Sequence, residues 1–220
     1  MNIICIIPAR GGSKGVPRKN IKMLNGKPLL QYSIEQASQT AAINCVYVST
    51  DDDEIKTYAQ QSGAKVIVRP ESLSGDIATS ESALIHVLDE LNEPVDYIVF
   101  LQCTSPIREP QDIQKAIQLL LQEEADSLLS VVHDHSFLWK EEYGQGVSVN
   151  YDYMARPRRQ DMPLQYRENG SIYIVKPEIL RKHNNRLGGK IVLFPMADDS
   201  AVDIDTEHDL LLAESILQRK

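Results

Sequence analysis

A single tryptophan and three phenylalanines leave this 220-residue chain short of large rings, and no stretch of it approaches the length of a membrane span. The N-terminus lacks the charged and apolar regions of a signal peptide, so the expected location is the cytoplasm, with no membrane partner. Cysteine is scarce too. Cys5, Cys45 and Cys103 are odd in number, lack metal-ligand spacing, and each sits within or at the end of an apolar, strand-like run. That excludes a disulfide framework and reads as reduced core thiols. Positive charge is in deficit, with 23 Lys and Arg against 31 Asp and Glu and a net charge of −8, which argues against nucleic acid as a partner of the bulk surface. The cations present are gathered at residues 10–19 and 156–159. Local positive sites on an acidic protein suit small anionic ligands.

The length fits one domain, residues 1–220, with a core of ordinary size. It opens on a short β-branched run, Ile3-Ile4-Cys5-Ile6-Ile7, which reads as a strand buried on both faces and stopped by Pro8. The loop that follows holds Gly11, Gly12 and Gly15, the hydroxyl of Ser13 and the cations Arg10, Lys14, Arg18 and Lys19. Glycines let backbone N–H groups come close to an anion and the cations add charge, so the expected guest is a polyphosphate. The spacing excludes a Walker A loop and the G-x-G-x-x-G fingerprint alike. Pro17 and the run Arg18-Lys19-Asn20 argue against a helix directly after the glycines, so the loop itself is expected to wrap the ligand.

Beyond it, helical spacing at 28–37, a strand at 45–49, a helix at 54–62 closed by Gly63, and a strand at 65–68 alternate in order. A helix at 81–91, a strand at 97–101, an amphipathic helix at 110–123 and a strand at 127–132 continue the pattern. This predicts an α/β fold with a doubly wound, mostly parallel sheet. Loops at the carboxyl ends of such strands bind ligands, which singles out residues 69–80 and Gln102, a polar amide at the tip of a central strand. A helix cap accounts for Thr79 or Ser80 but leaves Arg69 without a role. Near the end, Asp203 and Asp205 alternate about Ile204, so an extended chain presents two carboxylates on one side, a donor set suited to Mg²⁺ held jointly with phosphates. The next residues, 206–209, are similar to a capping box opening a last helix. Residues 133–165 break the periodicity, carrying aromatics, glycines and the Arg156-Pro157-Arg158-Arg159 cluster. A stretch of this length is not expected to be idle loop. His133 and His135 lie within it or at its edge without a third ligand at metal spacing.

The string IPARGGSKGVPRKNI closely resembles the N-terminal signature of the acylneuraminate cytidylyltransferases, the CMP-sialic acid synthetases. Later segments extend the resemblance over essentially the whole chain. Leu101-Gln102-Cys103-Thr104-Ser105-Pro106 resembles the family's L-Q-P-T-S-P with cysteine in place of proline, and residues 159–173 resemble its sugar-binding segment. The resemblance implies transfer of CMP from CTP to a nonulosonic acid with release of pyrophosphate. It implies that Arg10, Gly11, Gly12, Ser13, Lys14, Asn20, Arg69 and Ser80 bind the nucleotide, and that Lys19 stabilises transition-state charge. It likewise implies sugar contacts from Gln102, Arg159, Arg167, Asn169 and Tyr173, with the guanidinium groups matching the acceptor's carboxylate. Asp203 and Asp205 match a D-x-D motif for Mg²⁺ or Mn²⁺, and residues 133–165 match an inserted arm that pairs two subunits into a homodimer. The acceptor is left open among sialic, legionaminic and related acids. The rival readings are a Kdo cytidylyltransferase, whose family generally lacks the GGSKG and RKN elements, and a nucleotide-binding module without turnover.

Overall fold

The computed structural model describes residues 1–219 except Lys14 and Asp76. The chain enters through β1 (Ile3–Pro8) and a long loop, then a small hairpin of β2 (Met23–Leu24) and β3 (Lys27–Pro28). Next come α1 (Leu29–Ser38), β4 (Cys45–Thr50), α2 (Asp53–Gln61) and β5 (Lys65–Val68). The chain continues through α3 (Ser80–Glu90), β6 (Tyr97–Leu101), α4 (Pro110–Gln122) and β7 (Ser127–His133). A second hairpin, β8 (Trp139–Glu142) and β9 (Gln145–Ser148), precedes β10 (Tyr166–Val175), α5 (Pro177–His183), β11 (Ile191–Pro195) and α6 (Glu207–Leu217).

Seven strands form one sheet in the order β11-β7-β10-β6-β1-β4-β5. β1 runs parallel to both β4 and β6, β5 extends that block, β10 lies antiparallel between β6 and β7, and β11 runs parallel to β7. The alternation of side chains explains why these strands carry continuous apolar runs. Ile3, Cys5 and Ile7 pack with Val46, Val48, Val99 and Leu101 against α1, α2, α4 and α6. Their neighbours Ile4, Ile6, Tyr47, Ile98 and Phe100 face the opposite way, onto α3 and α5. Helices therefore cover both faces. Within α6 the buried residues are Leu210, Ala213 and Ile216, while Leu211 is turned to solvent.

Local chemistry starts and stops the helices where the site needs them. Asp52 caps α2, accepting from the N–H groups of Glu54 and Ile55 at 3.0 and 2.9 Å, and Gly63 at φ 87° ends it. Of the two capping candidates, Thr79 is the one that accepts from Ser82 N–H at the start of α3, which frees Ser80 from that duty. Thr206 and Asp209 form a capping box on α6, and Thr206 follows Asp205 directly.

From β1 the chain builds outward through β4 and β5, then returns to place β6 on the other side of β1. The order reverses between β1 and β6, and such a reversal opens a crevice beyond the carboxyl ends of the strands. Residues 134–165 contribute nothing to the main sheet; β8 and β9 pair only with each other, joined at Tyr143 and Gly144, both at positive φ. Around this hairpin Phe137, Trp139, Tyr151 and Tyr153 pack ring against ring, with Arg156 over Phe137. Trp139 and Tyr153 remain about half exposed despite that packing.

Candidate functional site

A cavity of about 450 Å³ opens at that reversal, between Pro8 at the end of β1 and Gln102 just past β6. Ten of the residues predicted from sequence line it: Arg10, Gly12, Ser13, Lys19, Asn20, Arg69, Ser80, Gln102, Asp203 and Asp205. Gly15, Ala78, Thr79 and Thr104 complete the wall with Pro8. These residues come from four separate loops, three of them following β1, β5 and β6, which the strand order β6-β1-β4-β5 sets near one another.

The first loop is fastened from outside by the acidic residues that follow β4. Gly11 donates its N–H to Asp51 Oδ1 at 3.0 Å, so that amide faces a carboxylate of the fold. Arg18, held at φ 53°, grips Asp52 at 3.0 Å and Glu54 at 2.7 Å. Its charge is thus spent on closing the loop onto α2, a role that the count of cations in the loop did not suggest. The glycines divide by what surrounds them. A Cβ on Gly11 would meet Asp52 Oδ2 at 2.7 Å and one on Gly15 would meet the Asp205 carbonyl at 2.3 Å, whereas one on Gly12 would meet nothing within 4 Å. Two of the three glycines are needed for close approach of protein to protein, and Gly12 alone faces open space. Asn20, buried, donates to the Arg10 carbonyl at 2.9 Å and ties the two ends of the loop. Lys14 lies outside the described residues.

Arg10 reaches across the cavity mouth to the Gly75 carbonyl at 2.9 Å. Arg69 is buried, with its guanidinium on the Ser49 carbonyl at 2.8 Å and the Ser49 hydroxyl at 3.2 Å. Burial pulls its pKa down, opposed by nearby Asp51. It presents a charge that is fixed in place at the end of β4.

The carboxylate side is built by one buried residue. Ile204 is fully buried and donates its N–H to the Thr104 carbonyl at 2.8 Å, leaving Asp203 and Asp205 on either side of it, exposed and in the cavity. Lys19 Nζ bonds Asp205 Oδ1 at 2.8 Å, with the lysine largely shielded and the aspartate open. Among the described residues there is no group of three or more His, Cys, Asp or Glu that could hold a metal. Two carboxylates with free oxygens fit a hard divalent ion that completes its shell with phosphate and water, the habit of Mg²⁺.

The residues expected from sequence to meet a sugar part company. Gln102 is in the cavity, and a Cβ on Gly170 would come within 2.8 Å of its Oε1, so the bulge of β10 at Gly170, φ 69°, makes room for that amide. Asn169 is buried, bonded through its Oδ1 to Ser130 at 2.6 Å and through its amide to Ser200 at 2.9 Å. Tyr173 is also buried, stacked on Phe100 at 5.3 Å, with its hydroxyl on Glu168 and Arg186 across its ring. Burial pushes that hydroxyl's pKa up, and the Glu168 contact adds to the effect. Arg159, in a short helical turn, and Arg167, on β10, do not line the cavity. Sequence reasoning passed over Asp51, Asp52, Thr104, Gly170 and Arg108. Only Asp52 carried a local signal, its capping position before α2.

A family model described as Cytidylyltransferase matches residues 4–216. The chain is 40% identical over 222 residues to N-acylneuraminate cytidylyltransferase A of Danio rerio, covering 99% of this chain and 51% of that protein. Against the N-acylneuraminate cytidylyltransferase of Streptococcus agalactiae serotype V the identity is 31%, over 96% of this chain and 52% of the relative. The chain thus spans about half the length of these relatives. It is 32% identical to Post-translational flagellin modification protein B of Campylobacter coli, over 99% of this chain and 96% of that one. Among solved structures, CMP:2-keto-3-deoxy-manno-octonic acid synthetase complexed with CTP superposes with a TM-score of 0.75 at 18% identity, covering 100% and 99% of the two chains. The 4-diphosphocytidyl-2C-methyl-D-erythritol synthase of Anaerococcus prevotii gives 0.72 at 14%, over 99% and 96%. At these identities the two structures speak for the fold alone.

Proposed function

The chain belongs to the cytidylyltransferase family, and from that premise we propose that it couples CTP to a nonulosonic acid, giving the CMP-sugar and pyrophosphate. The observation that carries this reading is the meeting, in one cavity, of the Arg10–Asn20 loop, Lys19 and the paired carboxylates Asp203 and Asp205 opposite Gln102. The triphosphate would lie along Arg10, Gly12, Ser13 and Lys19, with Lys14 and Gly11 belonging to the same loop, and the nucleoside would reach toward Asn20, Arg69 and Ser80. The anomeric hydroxyl of the acceptor would then attack the α-phosphorus from the side of Gln102 as the bond to pyrophosphate breaks. The relatives named for N-acylneuraminate support a nonulosonic acid as acceptor over Kdo, since the Kdo enzyme is similar in fold only.

Negative charge grows on the α-phosphoryl oxygens and the departing pyrophosphate, and an ammonium already in place gains from that growth. Lys19 is held ready by Asp205, which fixes its Nζ at the cavity wall. Asp203 and Asp205 would hold Mg²⁺ or Mn²⁺ against the phosphates, supplying further positive charge where the oxygens develop theirs. Arg159, Arg167, Asn169 and Tyr173 belong to the acceptor side of this reading, with Asn169 and Tyr173 acting from within the wall they buttress.

We extend the reading to a homodimer in the cytoplasm. Trp139, Tyr143 and Tyr153 are exposed on or beside the isolated hairpin β8–β9, an apolar surface a second subunit can cover. The three unpaired thiols suit a reducing compartment.

The test is pyrophosphate release from CTP with a panel of acceptors: N-acetylneuraminic acid, legionaminic acid, related nonulosonic acids and Kdo. Release with a nonulosonic acid and not with Kdo is expected. CTP binding without release from any acceptor would favour the non-catalytic module. Excess chelator should stop turnover and Mg²⁺ restore it; full turnover in chelator removes the metal from the reading. Sedimentation should give a dimer, and an active monomer would remove the partner subunit.

A further inference from the structure

The bulkiest fully buried side chain among the described residues is a cation. Arg108 is 2% exposed, and every acceptor that its guanidinium meets is a neutral oxygen. Nη1 bonds the Ser105 carbonyl at 2.5 Å and the carbonyls of Gln102 and Ser171 at 3.3 Å each. Nη2 bonds the hydroxyl of Ser33 on α1 and the Gln102 carbonyl at 3.4 Å. Nε has no partner. Burial lowers the pKa to about 10, so the group stays cationic at neutral pH. Removing a charge from water without an opposite charge beside it is costly, and the hydrogen bonds to neutral oxygens offset that cost here; an apolar side chain would leave those carbonyls without the donor.

What the guanidinium holds is one turn, residues 102–105, and both ends of that turn serve the cavity. Gln102 and Thr104 line it. The Thr104 carbonyl accepts from Ile204 N–H, the bond that sets Asp203 and Asp205 on either side of Ile204. From the other direction, Gln36 on α1 donates to the carbonyls of Pro106 and Arg108 at 2.9 and 2.7 Å. The turn and the residues just after it are therefore clamped from within, by Arg108 and Gln36.

We propose that Arg108 is a positioning residue: its fork on the Gln102, Ser105 and Ser171 carbonyls holds the 102–105 turn in the shape that aims Gln102 at the acceptor and anchors the Asp203–Asp205 pair. This rests on the cytidylyltransferase reading for the identity of the acceptor. It sets Arg108 apart from the residues proposed to bind CTP, because each hydrogen bond described for its guanidinium goes to the 102–105 turn, to Ser33 or to Ser171.

The experiment compares wild type, Arg108→Lys and Arg108→Met in steady-state kinetics and in direct Mn²⁺ binding followed by electron paramagnetic resonance in the presence of CTP. Arg108→Lys keeps the charge and loses the fork. Support residues behind metal ligands and substrate contacts typically alter affinity by about 10–100-fold, and a rise in that range is expected for the acceptor KM and the Mn²⁺ Kd. The KM for CTP should move by less than about threefold. A lower kcat or melting temperature with unchanged acceptor KM and Mn²⁺ affinity would show that Arg108 only packs, and overturns the proposal. If neither variant folds, Ser33→Ala removes the hydroxyl on α1 that holds Nη2 and orients the fork, and leaves the charge; it should raise the same two quantities, and an unchanged pair overturns the proposal. A wild type that releases no pyrophosphate refutes the functional reading, while the Mn²⁺ measurement still decides the role of Arg108.

Discussion

The two walls of the cavity are held in opposite ways. Apart from buried Asn20, which bonds the Arg10 carbonyl, the wall of the first loop is fastened at the surface, by Arg18 on Asp52 and Glu54, by Gly11 on Asp51 and by Arg10 on Gly75, all in contact with solvent. The wall of Gln102 is fastened inside, by Arg108, Gln36, Ser33 and the Asn169–Ser130–Ser200 network. Exposed ion pairs are worth little and rearrange readily, whereas a buried polar group left without its partner is heavily penalised. Under the proposed function, a loop that closes around a flexible triphosphate would gain from the first arrangement. On the same proposal, a surface that aims one amide and two carboxylates at a reacting atom would gain from the second.

The largest expected effect is at the seam where the walls meet, Lys19 with Asp205. Lys19→Ala should lower kcat by about 10²–10³, as removal of one preorganised charge-stabilising group does. The KM for CTP should move far less, while Arg10→Ala should mainly raise it. Steady-state kinetics on both variants checks this, and a strong KM effect with near-normal kcat for Lys19→Ala makes the lysine a binding residue.

Gly15 tests the same seam by shape. A methyl there meets the Asp205 carbonyl at 2.3 Å, so Gly15→Ala must push the 203–205 segment away. Displacements on the order of 1 Å can cost about 10²-fold in rate, and a loss approaching that is expected. Gly12→Ala, with nothing within 4 Å, should keep its melting temperature. Equal melting temperatures and rates for the two variants would mean that the loop and the carboxylate segment are not in contact in solution.

For stability the walls should rank the other way from their visible charge. Asn169→Ala removes the centre of a buried network and should destabilise by about 1–3 kcal/mol, read by urea denaturation. Arg18→Ala breaks two ion pairs at the surface and should change the midpoint much less, by an amount that shrinks further in high salt. The reverse order would break the contrast between the walls.

The smallest effect is on pH. Burial alone would raise the pKa of Asp52, but the Ile55 N–H and the Arg18 guanidinium outweigh it and hold the carboxyl below its ordinary value. A depressed pKa in the folded state contributes stability that is present above the unfolded value and lost as pH falls through the folded one. The loss therefore lies below about pH 4, and Asp52→Asn should flatten that part of the stability curve. An unchanged acid limb would detach Asp52 from the loop.

Much of this architecture is written locally. β5 and β6 run over the residues that the sequence marked as strands, 65–68 and 97–101, because apolar runs bounded by turn residues announce themselves within a few positions. The same is true of the Asp203–Ile204–Asp205 alternation and of the capping residues Asp52, Thr79 and Thr206. The assignment of Arg18 away from the cavity is not legible in that way, since its partners are 34 and 36 residues distant and its charge looks the same on either side of the loop. Nor could spacing tell that Gly11 and Gly15 serve protein contacts and Gly12 does not, that Asn169 and Tyr173 turn inward, or that Arg108 is buried. Those outcomes depend on the order of the strands, which brings β1, β4, β6 and β10 side by side. Periodicity and turn chemistry act over a few residues and can be read from them, while the partner of a charged or polar group is chosen by whatever the packed sheet sets beside it.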